Sequence, residues 1–256
     1  MKSIGFSSHA PLPFPASWTL TVANLPVYCN EVNKLKGQYR GIIEVFLGLE
    51  IDYIPGRTGP NYPHFNDLGL DYRIGSVHFV GRFADGKHCA VDSRNSFPRG
   101  LSEIYNGDIR RLIEDYYALV RRMVRTDCPD ILAHLDVFKL NNGNGGEFSE
   151  NDPWYRQVVA QTLDVVAESG VILEVNLGGI NKGLIDTTYP REWIIAMCFE
   201  RGIPVTISSD AHRPEHLTSG FREAAKTLLD IGYREIMVLD ANGWRSCSFT
   251  AEGLDW

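Results

Sequence analysis

Short apolar runs, rich in β-branched residues, alternate along the chain with longer stretches of helical periodicity. The apolar runs predict strands at residues 42–49, 72–79, 131–133, 171–175, 204–208 and 234–239. The periodic stretches predict helices at residues 23–39, 101–126, 154–168, 191–200 and 214–231. Alternation of this kind is typical of a parallel sheet, either open and doubly wound or closed into a barrel.

Two segments of a different character interrupt this alternation. Residues 55–67 are rich in Gly, Pro and Asn, and residues 141–152 are too polar and glycine-rich to pack, so both are predicted to be loops. No internal repeat and no compositional break divides the chain. The sequence therefore predicts one domain over residues 1–256.

Composition and charge narrow the class of protein. The 256 residues are 44% hydrophobic and 22% charged, values ordinary for a globular protein. The net charge is −7, and no basic run exceeds the pair Arg121 and Arg122, which argues against a nucleic-acid partner. Five scattered cysteines without a C-x-x-C pair favour reduced thiols, and no apolar run predicts a membrane span or a signal peptide. We expect a cytoplasmic protein.

Six side chains able to bind a metal stand at the ends of apolar runs: His9, Glu50, His78, His134, Asp210 and His212. Because the carboxyl ends of parallel strands meet at one rim, these side chains are expected to converge there. A mixture of imidazoles and carboxylates suits zinc, iron or manganese, and carboxylates can bridge two ions. The set predicts a catalytic rather than a structural metal site.

Each of these residues also has an ordinary structural interpretation. A single histidine is more often a core or loop residue, and an Asp after a strand often caps a helix. Recurrence at five strand ends favours metal binding over coincidence. In contrast, His64 and His88 lie in polar sequence and are interpreted as solvated, and His216 as an exposed helix residue.

Several of these segments resemble the histidinol-phosphatase branch of the polymerase-and-histidinol-phosphatase (PHP) family of metallo-phosphoesterases. The Pro-Leu-Pro-Phe stretch after His9 and the Asp-Tyr-Ile-Pro-Gly stretch after Glu50 are more specific to this branch than the metal-binding residues are. The resemblance extends over nearly the whole chain, at residues 5–14, 47–56, 71–79, 133–136, 174–176 and 209–215. It implies a distorted (β/α)7 TIM-like barrel that holds two to three divalent ions (Zn, Fe or Mn) at its strand ends.

One feature departs from the family pattern. Family members open with a strand that carries His-x-His, whereas only eight residues precede His9 and no His-x-His occurs. By resemblance, the barrel lacks its first strand–helix unit, through a truncated or misassigned start or because the chain is a degenerate member. Such a loss would expose strand edges, so either a partner subunit covers them or the chain is unstable alone.

The resemblance also implies roles for the site residues. Glu50 would bridge two metals, with His78 and His134 completing one site and Asp210 belonging to another, while His9 and His212 would share a third. Glu50, His78, His134, Asp210 and His212 form the expected catalytic set. Lys182 and Arg213 are expected to clamp phosphate, although a surface salt bridge is an equally good interpretation of either.

The resulting hypothesis is metal-dependent hydrolysis of a small phosphate monoester, with L-histidinol phosphate as the first choice of substrate. Two alternatives stay open: a related phosphoesterase that acts on another small ester or a nucleotide, and a degenerate barrel that binds metal without catalysis.

Overall fold

The computed structural model describes residues 2–143 and 145–254 and shows an α/β fold built on a curled parallel sheet. Six strands form this sheet in the order β1-β2-β3-β6-β7-β8, and every pairing in it is parallel. The strands are β1 (Ser3–His9), β2 (Glu44–Asp52), β3 (Tyr72–Ser76), β4 (Phe79–Arg82), β5 (His88–Ala90), β6 (Ile131–Leu132), β7 (Ile172–Asn176), β8 (Val205–Ser208), β9 (Glu235–Asp240), β10 (Gly243–Thr250) and β11 (Gly253–Leu254).

Helices cover the outer face of the sheet. They are α1 (Leu25–Gln38), α2 (Ser96–Glu103), α3 (Ile109–Thr126), α4 (Pro153–Ser169), α5 (Gly178–Asn181), α6 (Glu192–Glu200) and α7 (Phe221–Ile231), with 3-10 turns at Pro63–Leu68, Val137–Asn141 and Pro214–His216. The largest core cluster contains Tyr116, Tyr117 and Val120 of α3 together with Val159 and Leu163 of α4. Within the described residues, no helix has the length and apolar character that crossing a membrane requires.

The two faces of β2 show how the sequence divides this sheet into an outside and an inside. Leu47, Leu49 and Ile51 are buried in a cluster with Val32 of α1, so the odd-numbered positions face the helix. Because side chains alternate along a strand, the even-numbered positions, Glu50 among them, face the concave interior. The strand thus places a carboxylate inside the curled sheet.

Lower in the interior, an aromatic layer lies across the sheet. The ring of Tyr72 lies over Gly48 and near Gly5, where a Cβ added to either glycine would come within 2.4 Å and 2.5 Å of Tyr72 atoms, respectively. Trp244 from β10 meets the same ring edge-on, with centroids 6.3 Å apart. Met237 of β9 also packs against this layer. The C-terminal hairpin therefore fills the end of the half-barrel opposite the strand carboxyl termini.

The sheet is open, with β1 at one edge and β8 at the other. Among the described residues no strand pairs with the outer side of β1, and β8 is contacted by β9 without a ladder joining them. This arrangement is consistent with the TIM-like architecture that the sequence predicts.

Several predicted elements have different bounds in the structure. The helix predicted at residues 214–231 is a 3-10 turn followed by α7 from Phe221, and the strand predicted at residues 72–79 ends at Ser76. The strand predicted at residues 42–49 is Glu44–Asp52, so Glu50 lies within the strand and not after it. The helix predicted at residues 101–126 is divided into α2 and α3, because Asn106 and Gly107 adopt positive φ angles of 52° and 82°. Asp108 then caps α3 by accepting a hydrogen bond from the Arg111 backbone amide at 3.0 Å.

The prediction that segment 141–152 is too polar to pack is wrong for its described part; Asn144 lies outside the described residues. Asn142 and Phe148 are buried. The Asn142 amide closes a turn, since its Oδ1 accepts from the Glu147 and Phe148 backbone amides and its Nδ2 donates to the Phe148 carbonyl at 3.1 Å. A polar side chain buried in this way satisfies the backbone of the loop.

Gly48→Ala is expected to destabilise the protein, because the new methyl group would clash with the packed Tyr72 ring. Overpacking of this kind costs about 1–3 kcal/mol in the free energy of unfolding. The matched control is Gly37→Ala in α1, where a Cβ meets nothing within 4 Å and helix propensity predicts a gain of about 0.5–1 kcal/mol. Urea unfolding of both variants measures the difference; equal effects would contradict the proposed packing.

Candidate metal centre

Glu50, His78 and His134 meet inside the half-barrel near its carboxyl rim. Glu50 belongs to β2, His78 comes shortly after β3, and His134 shortly after β6. All three are buried, and one possible ligand atom of each lies within 4.8 Å of the others. Oε1 of Glu50 is 3.1 Å from Nε2 of His134 and 3.6 Å from Nε2 of His78.

These separations fit a shared metal ion. With bonds of about 2.1 Å in a tetrahedral arrangement, two ligands of one ion lie roughly 3.4 Å apart. Oε2 of Glu50 lies 3.5 Å from Nδ1 of His9, close to the same value. Moreover, Nδ1 of His9 is buried without a hydrogen-bond partner. A buried polar atom is rarely left unpaired, so the donor set fits a divalent cation.

The electrostatics of this cluster also favour the binding of a cation. Burial alone would raise the pKa of Glu50, but His9, His134 and His78 hold it well below its ordinary value. Burial likewise disfavours the charged form of His78, yet the Asp52 carboxylate outweighs this and, with Asp92 and Glu50, raises the pKa of His78 to about 10. In the metal-free protein a proton on His78 supplies positive charge, and a metal would supply it in that proton's place.

Outer carboxylates orient the two buried histidines. Oδ1 of Asp52 lies 2.9 Å from Nδ1 of His78 and accepts a hydrogen bond from the His78 backbone amide at 3.2 Å. This leaves Nε2 of His78 directed towards Glu50. Glu174 of β7 accepts from the His134 backbone amide at 2.9 Å. Glu174 thus holds the backbone of His134, whereas the Asp52–His78 pair is of the kind that commonly fixes the ring of a metal ligand.

Asp210 and His212 follow β8 and face the same space. The φ angle of Asp210 is 43°, unusual for a residue with a side chain. The lack of a side chain at Gly178 leaves room for this carboxylate, because a Cβ on Gly178 would lie only 2.1 Å from Oδ2 of Asp210. Nζ of Lys182 is 3.3 Å from that oxygen. His212 is largely exposed, and its Nδ1 lies 3.0 Å from the Asp210 carbonyl oxygen.

All six predicted ligands line one cavity of about 240 Å³, so the expected convergence is present. Lys182 also lines it, whereas Arg213 is exposed and does not belong to this lining. The individual roles of these residues stay predictions. Sequence reasoning missed seven further lining residues: Trp18, Asp92, Val137, Leu140, Gly179, Leu184 and Tyr189.

Asp52 could have been found from the pattern of its strand. It stands two positions after Glu50, and period-two alternation therefore puts both on the interior face of β2. The interpretation of His88 as solvated is wrong. This residue is half-buried in β5, and its ring stacks on Phe14 with centroids 4.8 Å apart. The interpretation of His216 as an exposed helix residue is also wrong, since it is half-buried in a 3-10 turn.

A buried ion pair supports one side of the cavity. Nζ of Lys139 lies 3.2 Å from Oδ2 of Asp136 and also donates to the Thr188 carbonyl. The same Asp136 oxygen accepts from the Arg191 backbone amide at 3.1 Å. Burial raises the pKa of Asp136 and lowers that of Lys139. The pair therefore anchors the segment that carries Tyr189 to the segment that follows His134.

A curled parallel sheet with buried histidine and carboxylate ligands near its carboxyl rim defines a TIM-like α/β protein with a metal site. The PHP domain family matches residues 1–177, and the chain belongs to this family.

Similar proteins extend the match beyond that region. A Deinococcus radiodurans protein named "Probable histidinol-phosphatase" is 32% identical over 238 residues, which cover 92% of this chain and 84% of the relative. The histidinol-phosphatase of Bacillus subtilis is 29% identical over 233 residues, 83% of this chain and 82% of the relative.

Solved structures share the fold. A Listeria monocytogenes protein proposed to be a histidinol phosphatase aligns with a TM-score of 0.72 at 21% identity, covering 87% of this chain and 88% of that one. The histidinol phosphate phosphatase of Lactococcus lactis, solved with zinc, L-histidinol and phosphate, aligns with a TM-score of 0.59 at 16% identity, covering 100% of this chain and 88% of that one.

Asp52→Asn is expected to weaken metal binding while leaving the fold intact, because the amide still fills the space but no longer holds the His78 ring with a full charge. Loss of such an outer partner typically costs about 10–100-fold in metal affinity. Competition with a chromophoric chelator measures the affinity. Asp85→Asn, at a fully exposed carboxylate, is the matched control, and equal affinities for both variants would contradict the role of Asp52.

Proposed function

We propose that the protein is a metal-dependent phosphatase that hydrolyses L-histidinol phosphate to L-histidinol and phosphate. The observation that carries this proposal is the buried cluster of Glu50, His78 and His134 at a cavity that also contains Lys182. Membership of the PHP family and the names of the relatives, two of them histidinol-phosphatases, support it. A cavity of about 240 Å³ suits a small molecule rather than a polymer.

We further propose that the site holds two to three divalent ions, with zinc, iron or manganese as the candidates. Glu50 would bridge two of them, and His78 and His134 would complete one site. Asp210 would belong to a second site, and His9 and His212 to a third. A bound divalent metal supplies Lewis acidity to the phosphoryl oxygens and lowers the pKa of water.

The chain's own residues bind and orient the substrate. Lys182 is close enough to Asp210 to be held at the cavity wall, and its ammonium can pair with a phosphate oxygen. Asp52 contacts Nδ1 of His78 and thereby keeps Nε2 of the same ring directed towards Glu50. Arg213 is proposed as a second clamp that reaches the phosphate from the exposed segment beside His212. The expected catalytic set is Glu50, His78, His134, Asp210 and His212.

The finer features of the fold belong to the same proposal. We take residues 1–256 as one PHP-type domain, a distorted (β/α)7 barrel, located in the cytoplasm. A second subunit at the β1 edge would cover the outer side of that strand, with which no strand in the described part of the chain pairs. The substrate is a small molecule, and the net charge of −7 argues against nucleic acid.

Metal-reconstituted protein is expected to release phosphate from L-histidinol phosphate, whereas a chelated sample is not. His134→Ala should lower kcat/KM by more than the roughly 100-fold seen when only an outer partner of a ligand is lost. Colorimetric phosphate release measures both. Circular dichroism verifies that the variant is folded.

His216→Ala serves as the matched control, since this half-buried histidine does not belong to the cavity lining and its substitution should leave turnover unchanged. The proposed substrate is wrong if wild-type protein that is folded and loaded with metal releases no phosphate from L-histidinol phosphate. If His134→Ala retains full turnover, the assigned metal centre is wrong.

A further inference from the structure

Asp92 lies at the wall of the cavity, next to a residue that is hydrogen-bonded to the backbone of His78. The backbone amide of Val91 donates to the His78 carbonyl at 2.8 Å. The Val91 carbonyl in turn accepts from Nδ2 of Asn141 at 2.7 Å. These two bonds tie the residue before Asp92 to a proposed metal ligand on one side and to the 3-10 turn Val137–Asn141 on the other. Asp92 is therefore held in place relative to the reacting centre.

The carboxylate of Asp92 is half-buried and lines the cavity together with Trp18 and Tyr189. Among the described residues, no hydrogen-bond donor and no ion-pair partner reaches it, although its charge acts on both His78 and Tyr189. It stands apart from Glu50, His78 and His134, whose atoms lie close enough to share one metal, and it is not one of the six proposed ligands. An anion that is partly desolvated and unpaired is costly, so this site favours a cationic ligand.

The substrate's phosphate cannot be that ligand, because two anions would repel each other. Phosphate is instead suited to the metal cluster and Lys182. The remaining part of the substrate is the leaving alcohol, and Asp92 would then face it. The rings of Trp18 and Tyr189 add aromatic surface, which attracts a cationic group as well.

We propose that Asp92 binds a cationic nitrogen of the leaving alcohol and makes the enzyme selective for phosphate esters of amino alcohols. This proposal rests on the phosphatase function proposed above and names the feature of the substrate that the site selects. Asp92 is a specificity residue here and takes no part in the proton or phosphoryl transfer.

The test compares Asp92→Asn with wild type on three phosphate esters. L-histidinol phosphate carries both an amine and an imidazole, 3-(imidazol-4-yl)propyl phosphate lacks the amine, and L-phenylalaninol phosphate lacks the imidazole. Because a hydrogen bond to a charged group is lost, kcat/KM for L-histidinol phosphate should fall about 10–100-fold. If the amine is the ligand, L-phenylalaninol phosphate should lose as much and the ester without an amine should change little. The reverse pattern would assign the imidazolium.

Equal losses on all three esters, or no loss on any, would overturn the proposal. Metal content is measured for each variant, and Asp85→Asn, a fully exposed carboxylate at the turn between β4 and β5, is the matched control. Calorimetric binding of L-histidinol to metal-loaded protein provides a readout independent of turnover. If wild type hydrolyses none of the esters, the phosphatase function fails; weaker L-histidinol binding by Asp92→Asn would still support the cation site, and unchanged binding would refute it.

Discussion

The burial of the Glu50 carboxylate is the constraint on which the site depends. A carboxylate taken out of water needs compensating positive charge, and histidines on β1 and just after β3 and β6 provide it. This compensation works only because β1, β2, β3 and β6 are parallel and consecutive in the sheet, so that residues at their carboxyl ends reach the same point. The metal site of this protein therefore depends on the order of the strands in its sheet.

The site residues could be predicted from the sequence more accurately than the bounds of the strands that carry them. His78, His134 and Asp210 could be found because each closes an apolar run, and parallel packing brings such ends together. Glu50 was found even though the strand continues past it to Asp52, since the apolar positions facing α1 mark the strand clearly. The same early ending of the predicted strand explains why Asp52 was overlooked.

Other features depend on contacts between distant segments and leave no local pattern. Trp18 lies in a loop, and only the folded chain brings its ring within 4.8 Å of the His9 ring. The split between α2 and α3 follows from the Asn106–Gly107 pair, which outweighs the helical periodicity around it. Of the two strands in the C-terminal hairpin, only β9 is predicted, from its apolar run. In β10, small polar residues alternate with Cys247 and Phe249, and this pattern is too weak to identify a strand alone.

The C-terminal hairpin has a consequence for the order in which the protein acquires its structure during synthesis. The proposed ligands in β2 and after β3 and β6 emerge from the ribosome before Met237 and Trp244, which pack on the inner aromatic layer. Until they arrive, Tyr72 and its neighbours remain open to water and to other chains. The nascent protein would thus hold the proposed metal ligands above a core that still lacks its C-terminal hairpin.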